Sequence, residues 1–157
     1  MARSKLILGE FLPYQLSTTS NAVSEFIARS YRGRFGLKIP EWRVMAVLGE
    51  RASATQRELV AATQMDKVTV NRASKALVDR GLIGRAPNET DGRSHHLALT
   101  PVGQELYGQI VPLALSVEAG IEGILDRGEA EQLVAILAKL RARVDEMERG
   151  ADPAGSA

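Results

Sequence analysis

Two helix-start signals lie close together near the middle of the chain, and they constrain the fold more than any other feature. They fall in TQRELVAATQMDKVTVNRASKALVDRGLI, residues 55–83. Thr55 followed by Glu58 has the form of a capping box, in which each side chain satisfies a free amide at the start of a helix. Asp66 is placed to cap a second helix and Gly81 to stop it. The pattern predicts a short helix over TQRELVAAT, a tight turn, and a second helix over 66–80. Within the second helix Val70, Ala73 or Ser74, and Leu77 form one narrow apolar stripe. Lys67, Val68, Asn71, Arg72, Lys75 and Asp79 fall elsewhere, so the helix packs through a thin line and leaves a wide face free.

The flanking sequence completes the motif. LIGRA and SHHLALT are short alternating runs joined by PNETDG, which reads as a two-stranded hairpin. ERASATQ, ahead of the first helix, reads as a loop. Two helices joined by a tight turn and followed by a two-stranded wing make a winged helix-turn-helix. The free face of the second helix then has a use. Thr69, Asn71 and Arg72 can hydrogen-bond base edges, Arg being suited to guanine and Asn to adenine. Val68 shares this DNA-facing set. Lys67 and Lys75 can meet phosphates on either side. Asp91 and Gly92 shape the hairpin turn, and Arg93 is what it presents to a neighbouring minor groove. His95 and His96 are adjacent on a strand and point to opposite faces, so they cannot chelate one ion; they suit a place near phosphate.

The remainder of the chain is helical. Pro13 fits the first turn of a helix that carries Leu16, Val23, Phe26, Ile27 and Tyr31 as far as Gly33 or Gly36. Pro40 starts another, with Trp42, Met45, Val47 and Leu48 apolar. Thr100-Pro101 opens a long helix to about residue 124, with a bend expected at Gly108 and Pro112. Asp126 with Glu129 is a second capping box, and Leu133, Ile136, Leu137, Leu140, Val144 and Met147 hold one face of the last helix. The expected organisation is an arm and first dimerisation helix over 1–36, a winged lobe over 37–100, dimerisation helices over 101–150, and a disordered tail over 151–157. The fold class is mainly α with a small β-hairpin wing.

The segment from Thr55 to Tyr107 resembles the MarR family of bacterial regulators, and the resemblance extends over about residues 10–147. Its most specific pieces are TVNRASKALVDRGLI, the wing ending DGR, and LALTPVGQELY. The usual wing pattern has Asp and Arg where Asn88 and Thr90 stand here. The resemblance implies a homodimer whose first and last helices interlock, with two winged domains below. It places Thr69, Asn71 and Arg72 on the recognition helix and Asp91 and Arg93 on the wing. It also implies a small-molecule effector held between the dimerisation region and the DNA-binding lobe. Ser17, Ser20, Asn21 and Ser24, with Trp42, Arg43 and Met45, are the candidates for that cleft. Apolar walls, a few hydroxyls and an Arg would suit an aromatic carboxylate or its coenzyme A thioester.

Composition and charge narrow the alternatives. The chain has no cysteine, which excludes disulfides, thiolate metal sites and a cysteine nucleophile or redox sensor. No cofactor or metal site is expected. Residues 1–54 hold eight Lys/Arg and four Asp/Glu, residues 55–100 seven and five, and residues 101–157 five and ten. A basic front and an acidic tail fit a polyanion-binding half joined to a solvated helical half. No apolar run reaches the length of a membrane span, and the expected compartment is the cytoplasm. There is no phosphate-cradling Gly loop, nucleophile triad or carboxylate-histidine helix motif, so an enzyme is not expected. The expected function is a ligand-responsive regulator, a repressor that binds an inverted-repeat operator in double-stranded DNA. The alternative is a helical dimer that binds small molecules or proteins without reading DNA.

Overall fold

A computed structural model describes residues 5–86 and 95–151. The chain divides into two compact units, with the boundary after Leu113.

In the first unit, a 3-10 turn over Leu8–Glu10 leads into α1, Leu12–Phe35. Pro13 occupies its first turn, and Gly36 ends it in the left-handed conformation at φ 62°, a conformation glycine adopts without the Cβ penalty. Helix α2 (Ile39–Glu50) follows, with Pro40 in its first turn and Glu41 accepting from the Lys38 amide at 3.0 Å. Strand β1 is only Ala54–Thr55. Helix α3 (Gln56–Thr63) opens on the expected capping box: the Glu58 amide donates to Thr55 Oγ1, and the Thr55 amide donates to Glu58 Oε2. The turn to α4 passes through Gln64 at φ 55°.

Helix α4 (Lys67–Asp79) is capped at both ends by its own sequence. The Asp66 carboxylate accepts from the Thr69 amide at 2.8 Å and from the Thr69 hydroxyl at 2.6 Å. At the other end the Leu82 amide reaches back to the Leu77 carbonyl, and the Gly81 amide to that of Val78. That pairing is a Schellman motif, and it needs Gly81 at its φ of 68°. Strands β2 (Ile83–Ala86) and β3 (His96–Leu99) pair antiparallel, with Ile83 opposite Leu99 and Arg85 opposite Leu97. Strand β1 adds to the far side of β3, giving the order β1-β3-β2. ERASATQ is therefore not all loop. Ala54 is fully buried, and a half-buried two-residue strand is too short to show an alternation in sequence.

The core of this unit is aliphatic. Leu37, Val44, Met45, Leu59, Val70, Leu77, Ile83 and Ile110 are its largest fully buried side chains. They come from the link between α1 and α2 (Leu37), from α2, α3, α4 and β2, and from α5, Pro101–Glu122. Two close approaches join α5 to the lobe. Gly103 lies against the Leu82 carbonyl, and Gly49 lies against the Tyr107 ring, so a Cβ at either position would collide. Thr100 ties the start of α5 by donating its hydroxyl to the Gly81 carbonyl at 2.6 Å.

Helix α5 runs unbroken past Gly108 and Pro112, although Pro112 has no amide for the Gly108 carbonyl. Buried Ile110 and half-buried Val111 and Leu113 hold this segment by packing.

The second unit contains the end of α5 and α6, Arg127–Ala151. Asp126 and Glu129 cap α6 reciprocally, at 3.0 and 2.8 Å. The helix extends through Ala151, one residue into the stretch the sequence reads as tail; the residues after Ala151 lie outside those described. None of the described residues in this unit is buried. Leu133, Ile136, Leu137, Val144 and Met147 are exposed along one helix, while Arg127–Glu131 and Arg141–Asp145 pair at i,i+4 elsewhere on it.

Candidate nucleic-acid interface

The site is built on α4, because that helix has one committed face and one uncommitted face. Val70, Ala73, Ser74 and Leu77 are buried, which resolves the choice between Ala73 and Ser74: both face inward. Lys67, Val68, Asn71, Arg72 and Lys75 are exposed. At about 100° per residue Val68, Asn71, Arg72 and Lys75 share the side opposite Leu77, and Lys67 lies on its flank. The structure thus brings together on one surface the helical residues selected from sequence.

Thr69 is the exception. It is half-buried, and its hydroxyl proton is committed to Asp66. Its first task is to cap the helix, and a base edge could meet only its remaining lone pair. The Thr69 hydroxyl and amide together hold the Asp66 carboxyl below the ordinary carboxylate range. The Thr55 amide, then its hydroxyl, do the same for Glu58. Both helices of the motif therefore begin on a carboxylate that is ionised at neutral pH.

The wing is only partly within view. His95 is exposed just before β3, whereas the His96 ring lies 3.4 Å from the Ser53 hydroxyl and is half-buried. The two rings therefore have separate surroundings. Asp91, Gly92 and Arg93 lie outside the described residues, as do Asn88 and Thr90.

The sequence gives no sign of how α4 is held at its far end. Arg80 donates to the Gly36 carbonyl and to the Phe35 carbonyl, both at 3.0 Å. Its guanidinium also lies 3.9 Å from the carboxylate of Glu41, which is itself nearly buried. The C-terminal end of α1 is the negative end of its dipole. Arg80 thus caps α1 while standing at the end of α4, and Glu41 at the start of α2 completes the corner.

Beside this corner a cleft of about 250 Å³ opens, lined by Lys38, Pro40, Glu41, Thr69, Arg72, Ala73 and Ala76. It has two cationic side chains at its rim, an apolar wall and one carboxylate. The residues selected from sequence for a ligand do not line it. Ser17, Ser20 and Asn21 are exposed on α1, and Ser24 is half-buried. Trp42 is half-buried between Tyr31, at a ring-centroid distance of 5.2 Å, and Tyr107, at 6.0 Å. Arg43 points to solvent. Met45 is fully buried: it is a core residue, and a ligand could not touch it without repacking the lobe. Burial also pushes the Tyr31 phenol above its ordinary value.

Comparison with known proteins agrees with this geometry. The MarR family model matches residues 35–94, which span α2 to the wing. A MarR/EmrR family transcriptional regulator from Acinetobacter sp. ADP1 has 26% sequence identity and a TM-score of 0.83, with 90% of this chain and 99% of that one covered. A probable transcriptional regulator from Pseudomonas aeruginosa has 26% identity and a TM-score of 0.77, over 85% of this chain and 99% of that one. At 22% identity the BpsR protein of Bordetella bronchiseptica shares the fold, with a TM-score of 0.80 over 88% of this chain and 98% of that one; its DNA binding is regulated by 6-hydroxynicotinic acid. No curated protein sequence matches the chain. The family model matches the winged lobe, and the helix pair, the wing strands and the flanking long helices make the chain similar in fold to these MarR family transcriptional regulators.

Proposed function

We propose that this regulator is a homodimeric repressor that grips an inverted repeat through α4 and is released by a small aromatic acid. The observation that carries the reading is the outward face of α4, where Lys67, Asn71, Arg72 and Lys75 stand free of the core. Asn71 and Arg72 read base edges there, adenine and guanine respectively, and Lys67 and Lys75 meet phosphates. Arg93, which lies outside the described residues, is assigned to the adjacent minor groove, and His95 to the backbone. Two copies place two α4 helices about one helical turn apart, so the operator is an inverted repeat with half-site centres roughly 10 bp apart. Repression follows from steric blocking, which needs no further contact.

Dimerisation is supported by the second unit. It has no buried residue among those described, yet α6 carries a continuous apolar stripe. The arm adds exposed Leu6, Ile7, Leu8 and Phe11. Apolar surface on this scale marks an interface.

The cleft beside Arg72 is our candidate for the effector. Lys38 and Arg72 suit a carboxylate, and Pro40, Ala73 and Ala76 suit the face of one aromatic ring. A volume of about 250 Å³ favours the free acid; a coenzyme A thioester would leave its nucleotide outside. An acid bound there occupies Arg72 and competes directly with DNA. Titration of the protein–DNA complex with 6-hydroxynicotinate and a series of benzoates tests the assignment. Release by at least one acid, abolished in Lys38→Ala, is expected. Binding that leaves the DNA complex intact would contradict the competition.

A further inference from the structure

Val68 stands where an apolar side chain has no structural purpose. It is 59% exposed, whereas Val70 two residues on is fully buried. At about 100° per residue Val68 lies about 180° from Leu77, the centre of the packed stripe, and Arg72 and Lys75 fall within about 40° of it. It is therefore on the outermost ridge of α4, in the first turn. A β-branched residue there gains nothing for the helix, since branching at Cβ lowers helix propensity, and it gains nothing by burial within the chain. Its neighbours have other tasks: Thr69 is tied to Asp66, and Lys67 lies to one side, where a phosphate would be.

The first turn of a recognition helix is the part that meets base edges. The major-groove edge of the base pairs carries one apolar group, the C5-methyl of thymine. We propose that Val68 is a specificity-determining residue that packs on a thymine C5-methyl in each half-site, next to the bases read by Asn71 and Arg72. The inference rests on α4 being the DNA-reading helix. Val68 then selects thymine over cytosine by two effects. Cytosine lacks the methyl, and its exocyclic amino group would lose water against an isopropyl group that cannot accept a hydrogen bond.

The test is methyl deletion on the DNA. Duplexes are selected from a random pool by the full chain. Each thymine of the enriched sequence is then replaced in turn by deoxyuridine, which removes the methyl and keeps the pairing. For the wild type, one thymine per half-site should weaken binding by about four-fold when replaced, the effect of burying one methyl-sized group. In Val68→Ala that same replacement should change nothing, while preference at the other positions persists. Val68 is exposed, so the variant should keep its fold, which circular dichroism checks. Wild-type indifference to every deoxyuridine, or an equal penalty in Val68→Ala, overturns the proposal while the role of α4 stands. A pool that yields no enriched sequence overturns that role, and the assignment of Val68 with it.

Discussion

Arg80 does structural work that its position in the sequence conceals. It follows α4 and stands among basic residues that could all be read as DNA contacts. Its guanidinium instead serves the Phe35 and Gly36 carbonyls, with the nearly buried carboxylate of Glu41 beside it. Those carbonyls are 44 and 45 residues away in the chain, and no local pattern announces a contact of that kind. Arg80→Ala should lower unfolding stability by about 1 kcal/mol, because charge-assisted bonds at a partly exposed site are discounted by solvent. Arg80→Lys should recover only part of that loss, since an ammonium cannot fork between two carbonyls. Urea denaturation of the three proteins measures this; equal midpoints would remove Arg80 from the corner. The residues of the outward face were easier to read. Asn71, Arg72 and Lys75 occur at spacings that oppose a short apolar stripe, and helical geometry alone separates the two sets. Thr69 was misleading because its chemistry suits both a cap and a base edge, and only the structure gives its hydroxyl to Asp66.

Among the elements, the caps were the most legible feature. Thr55–Glu58, Asp66 and Asp126–Glu129 act within one turn of themselves, so sequence and structure carry the same information. Strand β1 was not legible, because its two residues are fixed by a partner about forty positions later. The left-handed turn at Gln64 was not legible either, since Gly or Asn is the usual signal there. The caps also set an acid limit. Asp66 and Glu58 have folded pKa values below their ordinary ones. Their stabilisation is therefore fully present above the unfolded values and is lost as the pH falls through the lower, folded ones. Asp66→Asn keeps an acceptor for the Thr69 amide but cannot titrate. Its stability should be lower than wild type at pH 7, and the difference should shrink as the pH falls below about 4, the ordinary carboxylate range. Thermal melts across that range check the sign; a gap that widens in acid would contradict it.

For the whole molecule, the two units have different debts to a partner. The first closes its own core of aliphatic side chains. The second contains no buried residue among those described and exposes Leu133, Ile136, Leu137, Val144 and Met147 on α6. Leu137→Glu should therefore convert a dimer to monomer, or abolish folding of the C-terminal helix, at micromolar concentration. Sedimentation velocity distinguishes these outcomes from an unchanged dimer, which would place the interface elsewhere. The uneven charge has a role at this scale as well. The lobe that carries α4 lies in the basic part of the chain, and the helices beyond it are acidic, so the attraction for a polyanion belongs to the first unit and not to α6.

If the outward face of α4 reads DNA, a salt series on the selected duplex shows it. Wild type and Arg72→Ala are titrated by fluorescence anisotropy at several salt concentrations, with single-base variants of the site at one of them. Lys67 and Lys75 from two protomers give at least four phosphate contacts, so log K should fall against log salt with a slope of about −3.6 or steeper. Arg72→Ala should cost about 1–3 kcal/mol per half-site and relax preference at one base, with the slope nearly unchanged. A flat salt slope for the wild type, or an Arg72→Ala protein that binds every variant as the wild type does, would contradict the account.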